Sequence, residues 1–127
     1  MKIVMPEGDQ KKKGHYVPGM ISHGMLYISG QLPIDPETGA MVGGGAAEHA
    51  AAALGNVERV LKAAGLTREN VVQCRIYIPH VEDWDAVNAA YAEFFGTHKP
   101  ARAIVPSREL HYGALAEVEA VAELEAE

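Results

Sequence analysis

Apolar residues recur along this chain with two different periods, and the switches between them predict its elements. In "MISHGMLYISG" apolar positions flank His23 and Gly24, a pair suited to a tight turn, so two short strands ending at Gly30 are predicted. "QLPIDPETGAMVGGG" follows, dense in Pro, Gly, Asp and Thr, and reads as a loop. From Ala46 the period lengthens. Ala50, Leu54, Val57, Leu61 and Ala64 recur at helical spacing, with Glu48, Glu58, Arg59 and Lys62 at other positions. Gly65 stands where a left-handed cap is expected. "VVQCRIYI" returns to a period of two, with Val72, Cys74, Ile76 and Ile78 on one side and Gln73, Arg75 and Tyr77 on the other. A second helix is predicted from Glu82 to Phe95, with Trp84, Val87, Tyr91 and Phe94 as its buried stripe; Pro100 stops any continuation. Two last strands complete the order β-β-α-β-α-β-β, and "KIVM" is a candidate for one more. That order predicts an α+β fold, one domain over residues 1–127, with two helices covering one face of a mixed sheet.

The uncovered face carries the next information. If Val118, Ala120, Ala122 and Leu124 meet the helices, then Glu117, Glu119 and Val121 lie opposite, beside Gln73, Arg75 and Tyr77. Such a face is too polar for a second hydrophobic layer. Two readings stand: an oligomer interface containing a polar cleft, or an open sheet with one wet face. On the first reading Arg75 is the natural counter-charge for Glu119.

Composition narrows the classes. The net charge of -6 argues against a nucleic-acid partner held by phosphate neutralisation. Lys11, Lys12 and Lys13 form the only concentrated basic run, and it reads as a solvated loop. Cys74 is the single cysteine, which excludes an intrachain disulfide and favours a reducing compartment. The first residues lack a signal-peptide core and no later stretch is long and apolar enough to span a bilayer, so the expected address is cytoplasmic, with no membrane partner.

Arg102 and Glu117 are the pair with chemical promise. They lie symmetrically about Glu109 and Leu110, so a hairpin turning within "RELHYG" would set them nearly opposite on one face. A guanidinium binds a carboxylate through two parallel hydrogen bonds, and a neighbouring carboxylate can hold and polarise a water. A structural ion pair is the alternative, and the residues alone do not decide between the two.

At that point the chain resembles a known family. "SGQLPIDPETG", "AAGLTRENVVQCRIYI", "DWDAVNAAYAEFF", "PARAIV" and "EVEAVA" together resemble the RidA/YjgF proteins, the reactive-intermediate deaminases, across most of the span from Tyr16 to Ala122. The resemblance implies a chorismate-mutase-like fold assembled as a homotrimer, sheets inside, with a cleft at each subunit interface. It also implies hydrolysis of enamine/imine intermediates such as 2-aminoacrylate, released by pyridoxal-phosphate enzymes, to 2-oxo acids and ammonia. No cofactor of its own is implied. By the same resemblance Arg102 binds the substrate carboxylate and Glu117 holds the water, while Tyr16, Ser29, Gly30 and Asn88 line the cleft. Two departures stand out. Ile104 occupies a position where many members carry a cysteine, and "PSRELHYGALA" replaces the family's Arg-Leu-Pro stretch. Cys74, facing the helices, does not substitute for that cysteine.

Other signals are weaker. Gly43, Gly44 and Gly45 precede a helix but lack the Lys-Ser/Thr ending of a phosphate-binding loop. The six histidines show no ligand spacing, so no metal site is expected. His111 reads as a turn histidine, with the rim of the cleft as its alternative place, and Trp84 with Tyr91 and Phe94 reads as core. Three functions compete: the deaminase, a non-catalytic trimer that binds small carboxylates, and an endoribonuclease or translation inhibitor. The acidic balance and the lack of a basic, aromatic groove count against the last.

Overall fold

The computed structural model describes residues 1–125. Its first hairpin follows from His23 and Gly24, whose φ values of 51° and 76° supply the two left-handed positions that a tight two-residue turn needs. The turn joins β2 (Gly19–Ser22) to β3 (Met25–Gln31), and β1 (Lys2–Val4) pairs on the outside of β2. Helix α1 (Ala46–Ala63) crosses next. Its end is closed by Gly65 N–H donating to the Lys62 carbonyl and Leu66 N–H to the Leu61 carbonyl, both 2.9 Å, around Gly65 at φ 76°. Then come β4 (Val71–Ile78), helix α2 (Trp84–Phe95), β5 (Ala101–Pro106) and β6 (Glu117–Glu123).

The six strands lie in the order β1-β2-β3-β6-β4-β5. All pairs are antiparallel except β4 with β5, which α2 connects as a parallel crossover. Both helices pack on one face. Leu26, Ile28, Cys74, Ile76, Val118, Ala120 and Ala122 from the sheet meet Ala50, Leu54, Val57 and Leu61 of α1 and Val87, Tyr91 and Phe95 of α2. Small residues set the spacing of these layers. A Cβ on Gly19 would stand 2.9 Å from Val60 Cγ1 and 3.0 Å from Leu26 Cδ1, so only glycine lets β2 approach α1 this closely.

The expected face assignment holds for β6 and most of β4, and three details differ. No hairpin joins β5 to β6, because β6 inserts between β3 and β4. The α2 crossover carries β5 to the far side of β4, and residues 107–116 return the chain to the middle of the sheet. Val72 is exposed and Val71 buried, because a register shift between Val71 and Gln73 swaps the inward valine. On α2 the fully packed stripe is Val87, Tyr91 and Phe95; Trp84, in the first turn, is 38% exposed and Phe94 only half-buried. No helix among the described residues is long and apolar enough to cross a membrane.

Candidate active site

Each end of the sheet positions a different set of polar side chains. The first set gathers where β6 begins and β3 ends. Pairing between β3 and β6 slips between Ile28 and Gln31, leaving Ser29 and Gly30 outside the regular ladder. Ser29 uses that freedom to bind the preceding segment. Its hydroxyl donates to the Val17 carbonyl at 2.6 Å and its N–H to the Pro18 carbonyl at 2.9 Å. Tyr16 is thereby held beside the strand end. The result is a cavity of about 760 Å³ whose wall includes Tyr16, Ser29, Gly30 and Glu117.

Glu117 enters this cavity from the polar face, in register with Tyr77. It is half-buried and has no hydrogen-bond or ion-pair partner among the described residues. Burial, reinforced by the charge of Glu119 and opposed by His111, raises its pKa above the ordinary carboxylate value. Glu119, two residues on, is committed elsewhere. It accepts the Tyr77 hydroxyl at 2.5 Å and lies 3.6 Å from Arg75 Nη1, the counter-charge expected for it. The Tyr16 phenol is pushed up by burial first, then by Asp9 and Glu117, so it remains a proton-bearing donor at neutral pH.

Gly30 is what gives Glu117 its room. A Cβ there would fall 2.5 Å from Glu117 Oε2, the far end of a flexible side chain. Gly30→Ala is therefore expected to swing the carboxylate aside and leave the fold intact. Its melting temperature should stay within about 4 °C of wild type, the shift that about 1 kcal/mol produces in a domain of this size. A crystal structure of the variant with Glu117 unmoved would contradict this.

The second set lies under α2, on the sheet face opposite to Glu117. Arg102 on β5 is in register with the inward Cys74, and its Nη1 donates to Asn88 Oδ1 at 2.8 Å. Its guanidinium carbon sits 4.7 Å from the Tyr91 ring centroid and 5.5 Å from that of Trp84. Trp84 thus flanks the arginine instead of filling the core. Burial raises the Cys74 thiol to about 11, so it stays protonated and inert.

The sequence residues are therefore brought together in two groups, Tyr16, Ser29, Gly30 and Glu117 in one and Asn88 and Arg102 in the other. The inferred juxtaposition of Arg102 with Glu117 on one face is corrected, since β4 separates their strands and their side chains leave opposite faces. A single copy does not form the pair.

Sequence reasoning missed further cavity residues. Asp9 is buried, with Arg59 Nη2 at 3.1 Å and Lys12 Nζ at 3.5 Å, so the basic run is partly tied down instead of wholly solvated. No periodicity could link positions fifty residues apart. His111 and Tyr112 also line the cavity, which gives His111 the rim position. The triple glycine leads into an N-terminus of α1 that the chain caps itself, as Gly45 N–H donates to Glu48 Oε1 at 2.8 Å.

Known proteins share this fold. The profile of the endoribonuclease L-PSP family matches residues 9–124. The 2-iminobutanoate/2-iminopropanoate deaminase of Homo sapiens is 39% identical over 86% of this chain and 80% of its own. A RutC family protein of Pyrococcus horikoshii is 35% identical over 95% of this chain and 96% of its own. Among solved structures, the YjgF gene product of E. coli superposes with a TM-score of 0.91 at 33% identity, covering 98% of this chain and 100% of that one. E. coli TdcF with bound serine superposes with a TM-score of 0.89 at 29% identity, covering 97% and 98%. With the fold and the matched residues in agreement, this chain belongs to the endoribonuclease L-PSP family, the RidA/YjgF proteins.

Proposed function

We propose that this protein hydrolyses reactive enamine/imine intermediates such as 2-aminoacrylate to 2-oxo acids and ammonia, at sites shared between copies of a homotrimer. The observation that carries the reading is the division of the polar residues into two half-sites. One offers an uncommitted carboxylate beside a phenol; the other offers a guanidinium oriented by Asn88 and two aromatic rings. Each lacks what the other has. A copy presenting Arg102 to the Glu117 cavity of its neighbour would complete both, and the neighbour's polar sheet face, from which Glu117 emerges, is the surface that would receive it. The deaminase name of the human relative and the serine bound to TdcF support a small amino-acid-like ligand.

The chemistry asks little of the protein. An enamine tautomerises to the imine, whose carbon is already electrophilic. Arg102 grips the α-carboxylate by its planar fork and so fixes that carbon. Glu117 of the adjoining copy takes a proton from water as its oxygen bonds to the carbon, and passes that proton to the imine nitrogen. Ionised again, Glu117 accepts the hydroxyl proton and delivers it to the amine nitrogen as the C–N bond breaks. Ammonia leaves and the 2-oxo acid remains. A carboxylate whose pKa is raised by burial is the better base for this step. Tyr16 stays protonated and can donate to the oxygen or nitrogen as charge develops.

The test is ammonia release from 2-aminoacrylate generated in place, corrected for spontaneous hydrolysis. A rate well above background is expected, as is no cleavage of RNA by rigorously nuclease-free protein. A rate equal to background on every imino acid tried would leave a carboxylate-binding trimer as the better account.

A further inference from the structure

Residues 107–116 carry the chain from the edge of the sheet to its middle, and that task requires no aromatic rings. Yet His111 and Tyr112 stack here, ring centroids 3.7 Å apart and planes within 16°. Tyr112 holds φ 60°, ψ 21°, a left-handed conformation costly for a bulky residue, and Gly113 follows at φ 72°. Hydrogen bonds close the turn, from Gly113 N–H to the Leu110 carbonyl at 3.1 Å and from Ala114 N–H to the His111 carbonyl at 3.2 Å. Its base is tied to α1, where the buried His49 accepts Leu115 N–H at Nδ1, 3.0 Å away. These bonds hold the backbone that carries the two rings.

Their place is the wall of the Glu117 cavity, and Tyr112 is 70% exposed there. Burial in a core does not explain that ring. Part of the charged wall is already matched, because Asp9 is paired with Arg59 and Lys12, while Glu7, Lys13 and Asp35 also line the cavity. The stacked pair adds a flat aromatic surface to that wall.

We infer that His111 and Tyr112 form the seat for the substrate's side chain, and that the site favours 2-imino acids carrying a flat aromatic group over three- and four-carbon ones. The inference rests on the proposed reading of Glu117 as the group that acts at the imine carbon. With that carbon held near Glu117, the side chain extends along the cavity to the open face of Tyr112. An aromatic ring gains stacking there beyond its apolar burial, about tenfold in affinity; a methyl group gains none.

The test compares phenylpyruvate with pyruvate in calorimetric binding to the assembled protein. Tyr112→Gly is the informative variant, since glycine adopts this backbone without penalty and the fold is not at risk. Phenylpyruvate is expected to bind wild type at least about tenfold more tightly than pyruvate, with that ratio falling several-fold in Tyr112→Gly. His111→Ala, which frees the tyrosine ring, should give a ratio in between. Equal binding of the two acids to wild type, failure of both to bind, or an unchanged ratio in Tyr112→Gly would each overturn the seat. Binding needs no turnover, so a protein that selects phenylpyruvate yet hydrolyses no imine would retain the seat and refute the deaminase.

Discussion

Two inactive variants of this protein should restore activity to one another when refolded together. Arg102→Met keeps the length of the side chain but cannot bind a carboxylate, and Glu117→Gln keeps its shape but cannot take a proton. Each alone should be nearly inert. Because Arg102 and Glu117 leave opposite faces of the sheet with β4 between their strands, a site containing both must draw them from different copies. In the proposed homotrimer, refolded from an equal mixture, a site is intact only when one copy supplies the guanidinium and its neighbour the carboxylate. Random assembly makes about a quarter of the sites so, and about a quarter of wild-type activity should return. Mixing the folded variants without unfolding should return much less. If co-refolded mixtures stay as inactive as their components, the two residues do not act together across an interface.

The second large effect concerns Glu117 by itself. Glu117→Gln should lower imine hydrolysis by roughly 10²–10⁴-fold, the usual contribution of a positioned acid–base group, while 2-oxo acids still bind. The pH profile gives an independent readout. Glu117 must be ionised to act, so protonation removes the base and activity falls as pH drops through its pKa. Burial and Glu119 raise that pKa, which places the acid limb above the ordinary glutamate range of about 4.3. His111 opposes the rise, so His111→Gln should move the limb to higher pH still. Single-turnover rates between mildly acidic and neutral pH would show both. A Glu117→Gln variant as fast as wild type, or a limb that ignores His111, would take the role of base away from Glu117.

Alternation and helical spacing were enough to read the two helices, the polar face of β6 and the pairing of Arg75 with Glu119. They contain no information on which strand lies beside which. The symmetry of Arg102 and Glu117 about Glu109 and Leu110 suggested a hairpin because short connections usually make neighbours; a parallel crossover through α2 breaks that habit without leaving a mark on the local pattern. Val71 and Val72 are both apolar, so the sequence could not say which one a bulge would turn inward. The types of the site residues were legible through the family's motifs, but their division into two half-sites was not, since that depends on strand order. Asp9, Arg59 and Tyr112 escaped for a related reason, because a cavity wall is built from segments with no common period.

The outermost strands set a limit on how copies can join. A sheet edge is a row of unpaired amides that invites further strands, and edge-to-edge joining has no natural end. Here β1 is only three residues long, and β5 is preceded by Pro100 and ends at Pro106, residues that supply no amide to a ladder. Growth of a continuous sheet from one copy to the next is blocked at both sides. Contact through the broad polar face, as in the proposed trimer, would carry no such risk: faces that met around a closed ring would leave no bonding surface over, and a protein crowded with its own copies would stay a particle instead of becoming a fibre.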